Sequence, residues 1–384
     1  MTSQRDTLGW LKQGARAFAF GNPLYGLTLG GRPVSGLATV PNDPWPGDAD
    51  IGAALMDGVF PFAGEVMQAD EPVWVPALGF GDTWIAQMNA FDWLRDLRAL
   101  GGDAPRRQAR LLITGWLDQN HGWNQASWAP DVLGARIANW IGQHDFYCQS
   151  ADDAFRGRVF ESLARQTRHL ARVTPGPLQG AALLTAVKGL VYGGLCLPGC
   201  EKHVPYALRL LERELPLQVL PDGGHVERNP ERHMLVLRHL IDLRAVLRAA
   251  RQEVPEMLQH AIDRMTPALR FFRHGDGGLA LFNGGREADP AMTDTVLAQS
   301  DARGRPLKSA PHCGFERMLA GRTTVLMDTG KAPPPGLDQD AHAGTLSFEM
   351  TIGRERLIVN CGSHPSRFGP WRGALAATAA HSTL

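Results

Sequence analysis

From Trp84 onward, apolar residues recur at spacings of three and four, the period of a helix with one buried face. Trp84, Met88, Phe91, Leu94 and Leu97 set the pattern, and Gly101-Gly102 ends it. The same reading predicts helical runs at roughly 84–100, 105–120, 131–147, 152–173, 179–197, 203–218, 230–251 and 255–273. The breaks are short and rich in Gly or Pro, so consecutive helices are expected to pack antiparallel. Such a series suits an α/α toroid or a solenoid, and no repeat between hairpins separates the two. At Gly275 the pattern changes, and GDGGLALFNGG reads as a strand with tight turns. His312–Leu319 and Thr323–Met327 read as further strands. Leu346, Phe348 and Met350 then alternate with Ser347 and Glu349, and Gly353-Arg354 turns the chain into Leu357-Ile358-Val359. Residues 1–80 are dense in Gly and Pro and are expected to run extended around the next domain. The predicted organisation is a wrapping segment at 1–80, a helical domain at 81–274 and antiparallel β-structure at 275–384: an α+β chain.

Composition narrows the class. The 384 residues suffice for two cores, and 39 basic residues balance 39 acidic ones. That neutrality gives no global pull toward nucleic acid or an anionic membrane. No apolar run reaches the length of a membrane helix. Arg5, Asp6, Lys12 and Arg16 interrupt any secretory core before Gly21, so the chain as written reads as cytoplasmic. Cys148, Cys196, Cys200, Cys313 and Cys361 are odd in number and scattered, which suits reduced thiols. No Gly-rich phosphate loop is present.

Several segments are more specific. AHAGTLSFE, RLIVNCG and AAHSTL near the end, the DPWPGD turn, Asp222-Gly-Gly-His225-Val-Glu227 and Arg136-Ile-Ala-Asn139-Trp140 together resemble the heparinase II/III family of polysaccharide lyases. The resemblance covers nearly the whole chain. It implies an α/α toroid followed by an antiparallel β-sandwich, an acidic polysaccharide as partner and β-elimination beside a uronate carboxylate. It also makes the periplasm the alternative compartment. Resembling proteins continue past Leu384, so the sequence is expected to be C-terminally truncated. At the chemical positions the chain departs from the family. The family's Asn-His pair falls on Ala181-Ala182, its Tyr on Arg232 and its catalytic His on Asp340. A methyl group transfers no proton, and a guanidinium stays charged. The zinc that some members hold with His, Asp and His maps onto His342, Asn360 and His381. Replacing Asp with Asn removes the anionic ligand; without metal, these side chains would hydrogen-bond between strands.

The surviving candidates follow from chemistry. His225 and Glu227 form an acid–base pair in the loop before a helix that Asn229 caps and Pro230 opens. His233 and Asp340 are further proton carriers. Arg136, Asn139 and Trp140 share one helix face and would make a platform for a sugar acid. Arg228, Arg232 and Arg372 would meet its carboxylate. Two functions remain: a lyase acting by β-elimination on a uronate-containing glycan, or a non-catalytic acidic-glycan-binding or envelope-assembly protein on a degenerate lyase scaffold. Both require the 222–233 loop and the segments bearing His342 and His381 to come together.

Overall fold

The computed structural model describes residues 18–69, 74, 79–120, 122–366 and 370–383. It forms two compact units. The first takes in the chain up to Val40, Gly47–Thr174 and Gly189–Val204. Two short helices, α1 (Pro23–Thr28) and α2 (Ala49–Met56), and a hairpin, β1 (Val59–Phe62) with β2 (Glu65–Gln68), occupy the stretch expected to be extended. Asn22 and Asp48 each accept backbone N–H bonds at a helix start, which nucleates helix in a Gly/Pro-rich region.

Helices α3 (Asp82–Ala90) and α4 (Leu94–Leu100) replace the single run expected from Trp84 to Leu100. The break is Phe91, a left-handed residue at φ 61°. Its ring stacks on Trp74 at 5.2 Å and meets Trp140 edge-on at 5.2 Å, so aromatic burial offsets the backbone cost. Helices α5 (Asp103–Gln119), α6 (Pro130–Gly142), α7 (His144–Tyr147) and α8 (Asp153–Val173) follow the predicted runs closely. Helix α9 (Gly180–Cys196) continues from the second unit into the first. A Cβ on Gly189 would lie 2.4 Å from the Gly134 Cα, so these helix backbones meet where only glycine fits.

The second unit comprises Pro41–Pro46, Pro175–Lys188 and Pro205–Leu384. Its helices are the first part of α9, most of α10 (Val204–Gln218), then α11 (Pro230–Ala249), α12 (Glu256–Phe271), α13 (Pro290–Ser300) and the short α14 (Pro370–Ala376) that carries Arg372. The turns after α10 and α12 use one device twice. Asp222 and Asp276 each accept an N–H from the glycine two residues on, and Gly223 and Gly277 sit at φ 82° and 93°. A single bridge closes each turn, Val219 with His225 and Arg273 with Leu279. The segment expected to be a strand from Gly275 is therefore a turn, and it leads into α13, a helix that periodicity missed. Asn229 and Asn283, which follow the two turns, donate to each other's neighbourhood: Asn229 Nδ2 to the Asn283 carbonyl at 2.9 Å and Asn283 Nδ2 to the Arg228 carbonyl at 3.1 Å.

The β-structure is a five-stranded antiparallel meander in chain order: β3 (Ser309–Ala310), β4 (Phe315–Ala320), β5 (Thr323–Asp328), β6 (Phe348–Ile352) and β7 (Glu355–Ile358). Arg317, Leu326 and Glu349 stand opposite one another on one face, and Met318, Val325 and Met350 on the other. The first face is buried and carries charge: Arg317 donates to the Phe271 and Arg273 carbonyls, and Glu349 takes the His274 ring. The second face is apolar yet partly open, with Met318 47% and Ile352 40% exposed.

Candidate functional site

The N-terminal turn of α11 forms the centre of the candidate site. Asn229 caps it, its Oδ1 accepting the Arg232 N–H at 3.0 Å. The capped turn sends Arg232 outward to Asp340 at 3.4 Å, and Arg372 reaches the other oxygen of Asp340 at 3.1 Å. Glu231 in the same turn holds Arg286 at 2.5 Å. All five side chains stay about a quarter to a third exposed, so this charged cluster is open to a ligand. The 222–233 loop and the segment leading into His342 thus do come together, through an ion-paired triad at the positions where the family's Tyr and His were expected.

The other predicted proton carriers have structural tasks. His225 is buried; its Nε2 faces the Gln218 amide oxygen at 3.2 Å, and its Nδ1 faces the Glu227 N–H at 3.4 Å. These partners assign the neutral tautomer with the proton on Nε2. Burial, with His233 and Arg232 nearby, depresses its pKa to about 3. Glu227 accepts the Ala181 N–H at 2.7 Å at the start of α9. There it satisfies a free helix donor, at the position where the family's Asn-His pair was expected. His233 is buried against the Met265 carbonyl at 2.9 Å, and burial depresses its pKa to about 4 against the smaller opposing pulls of that carbonyl and Asp222. Arg228 binds the Cys313 carbonyl at 2.7 Å, the Gly314 carbonyl at 3.1 Å, the Lys331 carbonyl and the Asp328 carboxylate, and lies over Phe315. It staples two loops of the sheet and leaves no guanidinium edge for a sugar.

Arg136, Asn139 and Trp140 lie in the first unit and do share a helix face, but that face is core. Arg136 is fully buried, bonded to Gln166 at 2.9 Å and the Asn89 carbonyl at 2.8 Å, 4.2 Å above Trp116. Asn139 donates to the Ala90 carbonyl and accepts from Arg95. Trp140 has no exposed surface. The expected sugar platform is therefore the support of the α3–α4 break. Trp123, on the loop before α6, forms a ring contact with Phe20 in that unit.

His342 and His381 approach to 5.2 Å between ring centroids. His342 Nδ1 and His381 Nε2 are buried without a hydrogen-bond partner, and burial depresses both pKa values, that of His342 to about 4. Asn360 Oδ1, however, lies 3.3 Å from His381 Nδ1 and 3.3 Å from the Ser382 N–H. One lone pair thus orients the His381 ring and the other takes the Ser382 N–H. Two imidazole nitrogens and no carboxylate fall one ligand short of the three protein ligands a zinc site needs. Among the described residues, no group of three or more His, Cys, Asp or Glu is placed to hold a metal ion. Four of the five cysteines are buried, and burial raises the thiol pKa of Cys148 to about 11 and of Cys196 to about 12.

Sequence reasoning missed the buried charges that hold this unit. Lys188 meets Asp242 at 2.5 Å, and Trp45 Nε1 donates to the same carboxylate at 2.8 Å. Glu349 takes His274 at 2.7 Å, the Leu281 N–H at 3.0 Å and the Asn360 N–H at 3.1 Å. The alternation pointed the wrong way here: it set Glu349 with Ser347 on the polar side, opposite Leu346, Phe348 and Met350, yet Ser347, Glu349 and Thr351 are the buried residues, because the carboxylate finds its hydrogen-bond partners inside.

The heparinase II/III N-terminus family model matches residues 81–301, and the heparinase II/III-like C-terminal model matches residues 302–384. FtsZ-localized protein C of Caulobacter vibrioides (strain NA1000 / CB15N) is 35% identical over 339 residues, which is 87% of this chain and 58% of that protein. The crystal structure of heparinase III superposes with a TM-score of 0.67 at 13% identity over 82% of this chain and 57% of that one. Heparan sulfate lyase HepC from Pedobacter heparinus gives 0.54 at 17% identity, over 87% and 59%. The structural likeness is one of fold: a helical region followed by antiparallel β-structure, as the sequence implied. The chain spans less than two thirds of the length of each of these proteins. No described helix is long and apolar enough to cross a membrane. With both segments matched from residue 81 to residue 384, the chain belongs to the heparinase II/III-like family.

Proposed function

We propose that the chain is a non-catalytic member of its family, an acidic-glycan-binding protein that serves envelope assembly at the site of FtsZ. The observation that carries this reading is the Arg232–Asp340–Arg372 triad, where an arginine and an ion-paired aspartate stand at the positions expected for base and acid. β-Elimination needs a group to neutralise the uronate carboxylate, a base for the adjacent proton and an acid for the leaving oxygen. The arginines suit the first task. For the other two, His225 and His233 are buried and engaged, Glu227 holds a helix terminus, and Asp340 is shared between two guanidiniums. FtsZ enters through the 35% identity to a protein whose name places it with FtsZ.

Two measurements test the reading. Purified protein is incubated with heparan sulfate, chondroitin sulfate, alginate and hyaluronan while absorbance is followed at the ultraviolet band of unsaturated uronates. The expected result is no rise with any of them, alongside saturable binding to at least one. Co-sedimentation with FtsZ filaments is expected to pellet the protein. A steady absorbance rise would restore the lyase reading, and Asp340 would then be the first residue to substitute.

A further inference from the structure

A cavity lies in the second unit, apart from the Asp340 triad in sequence and built from other elements. It is a cavity of about 610 Å³ bounded by the end of α12, the Gly275–Gly277 turn, α13, the start of the segment before β3, and the β6–β7 turn. That volume suits a small molecule rather than a polymer chain.

The wall carries a charge imbalance. Arg270, Arg273, Arg317 and Arg354 line it, against the two carboxylates of Asp276 and Asp294. Both carboxylates are already matched: Asp294 by Arg273 at 2.5 Å, and Asp276 by Arg356 at 2.6 Å. Arg270 spends its guanidinium on the Ala302 and Gly304 carbonyls, which satisfies hydrogen bonds but not charge. Arg317 likewise donates through Nη1 to the carbonyls ending α12, while its Nε is buried with no acceptor. Burial lowers its pKa with no carboxylate among the causes. Arg354, on the β6–β7 turn, forms no hydrogen bond or ion pair with any described residue. Pro290, Leu297 and Pro306 supply an apolar side to the same hollow.

We propose that this cavity binds a small phosphomonoester, its dianion set between Arg317 and Arg354 and its uncharged body against Pro290, Leu297 and Pro306. The charge decides the ligand class. Counting Arg356, which pairs with Asp276, five guanidiniums stand against two carboxylates and leave three positive charges at the wall, of which a phosphate dianion neutralises two and a single carboxylate one. The planar fork of arginine also matches two phosphate oxygens at once.

The test uses the 384-residue chain and isothermal titration calorimetry with glucose 6-phosphate, glucose and glucuronate as probes. Saturable binding of glucose 6-phosphate is expected, with none of glucose and at least about tenfold weaker binding of glucuronate. Arg354→Ala touches an exposed, unpaired side chain, so it should keep the wild-type melting curve and weaken the phosphate probe about tenfold or more, while Arg354→Lys retains part of the affinity. Arg317→Met also removes two helix-end hydrogen bonds, so it is judged only if its circular dichroism is native. Arg372→Ala, in the other cluster, should leave glucose 6-phosphate binding unchanged, which separates this site from the glycan reading. The proposal is overturned if glucose 6-phosphate shows no saturable binding, if Arg354→Ala binds it as tightly as wild type, or if glucuronate binds equally well.

Discussion

Asp340→Asn is the substitution that most directly probes the charged cluster. In the wild type the carboxylate sits 3.1 Å from Arg372 and 3.4 Å from Arg232, with all three side chains about a third exposed. Two unit charges at this range attract by about 4 kcal/mol at an effective dielectric near 20. Desolvation, side-chain ordering and salt reduce the net worth of such partly exposed pairs to about 0.2–1 kcal/mol each. Removing the charge should therefore cost the fold no more than about 2 kcal/mol. The same change frees two guanidiniums that now compete for an internal carboxylate. A uronate on the ligand then meets them without displacing Asp340, a gain of about 1–2 kcal/mol, or roughly 5- to 30-fold in affinity. The assay is titration of wild type and variant with one uronate-containing oligosaccharide at two salt concentrations, beside urea denaturation of both. The gain should shrink at higher salt, because the new contacts are exposed and ionic. Equal or weaker binding by the variant would refute the idea that Asp340 occupies the cations a sugar acid would use. A stability loss well above 3 kcal/mol would show instead that the triad is a structural pair.

Three further outcomes are expected. Glu349→Ala strands the His274 ring and two backbone N–H groups in a site with no exposure, so urea denaturation should show a loss of about 3–5 kcal/mol; a loss under 1 kcal/mol would contradict the buried-pair account. His225 and His233 are held neutral in the fold, their pKa values depressed to about 3 and about 4, while the unfolded chain protonates near 6.5. Stability is then full above pH ~6.5 and falls as pH drops toward 4, by up to about 1.4 kcal/mol per pH unit for each histidine, and His233→Leu should flatten that slope even though it lowers stability at pH 7.5. Metal analysis of protein dialysed against zinc-free buffer should find well under one zinc per chain, because Asn360 orients His381 instead of completing a ligand set; retention at one per chain would overturn this.

The sequence by itself determined the helices and most of the strands. Period 3.6 between Trp84 and Phe272 and period 2 from Thr323 to Ile358 are local properties, because a chain that must bury one face shows that face at fixed spacing. The family was legible too, since motifs such as Asp222-Gly-Gly and the final His-Ser-Thr are read directly. What the tertiary structure decided was which polar residues face a partner within the fold. Arg136 and Trp140 looked like a sugar platform because they share a face, but spacing does not say whether that face meets solvent or a second helix. Asp222-Gly-Gly-His225 looked like chemistry, yet its twin at Asp276-Gly-Gly shows a turn device that closes a helix end. Asp340 read as a replaced histidine and a candidate proton carrier, but its ion pairs come from Arg232 and Arg372 arriving from two distant segments. Periodicity records one residue's preference for inside or outside, whereas a site is set by pairwise distances between segments far apart in the chain, and no local pattern encodes those distances.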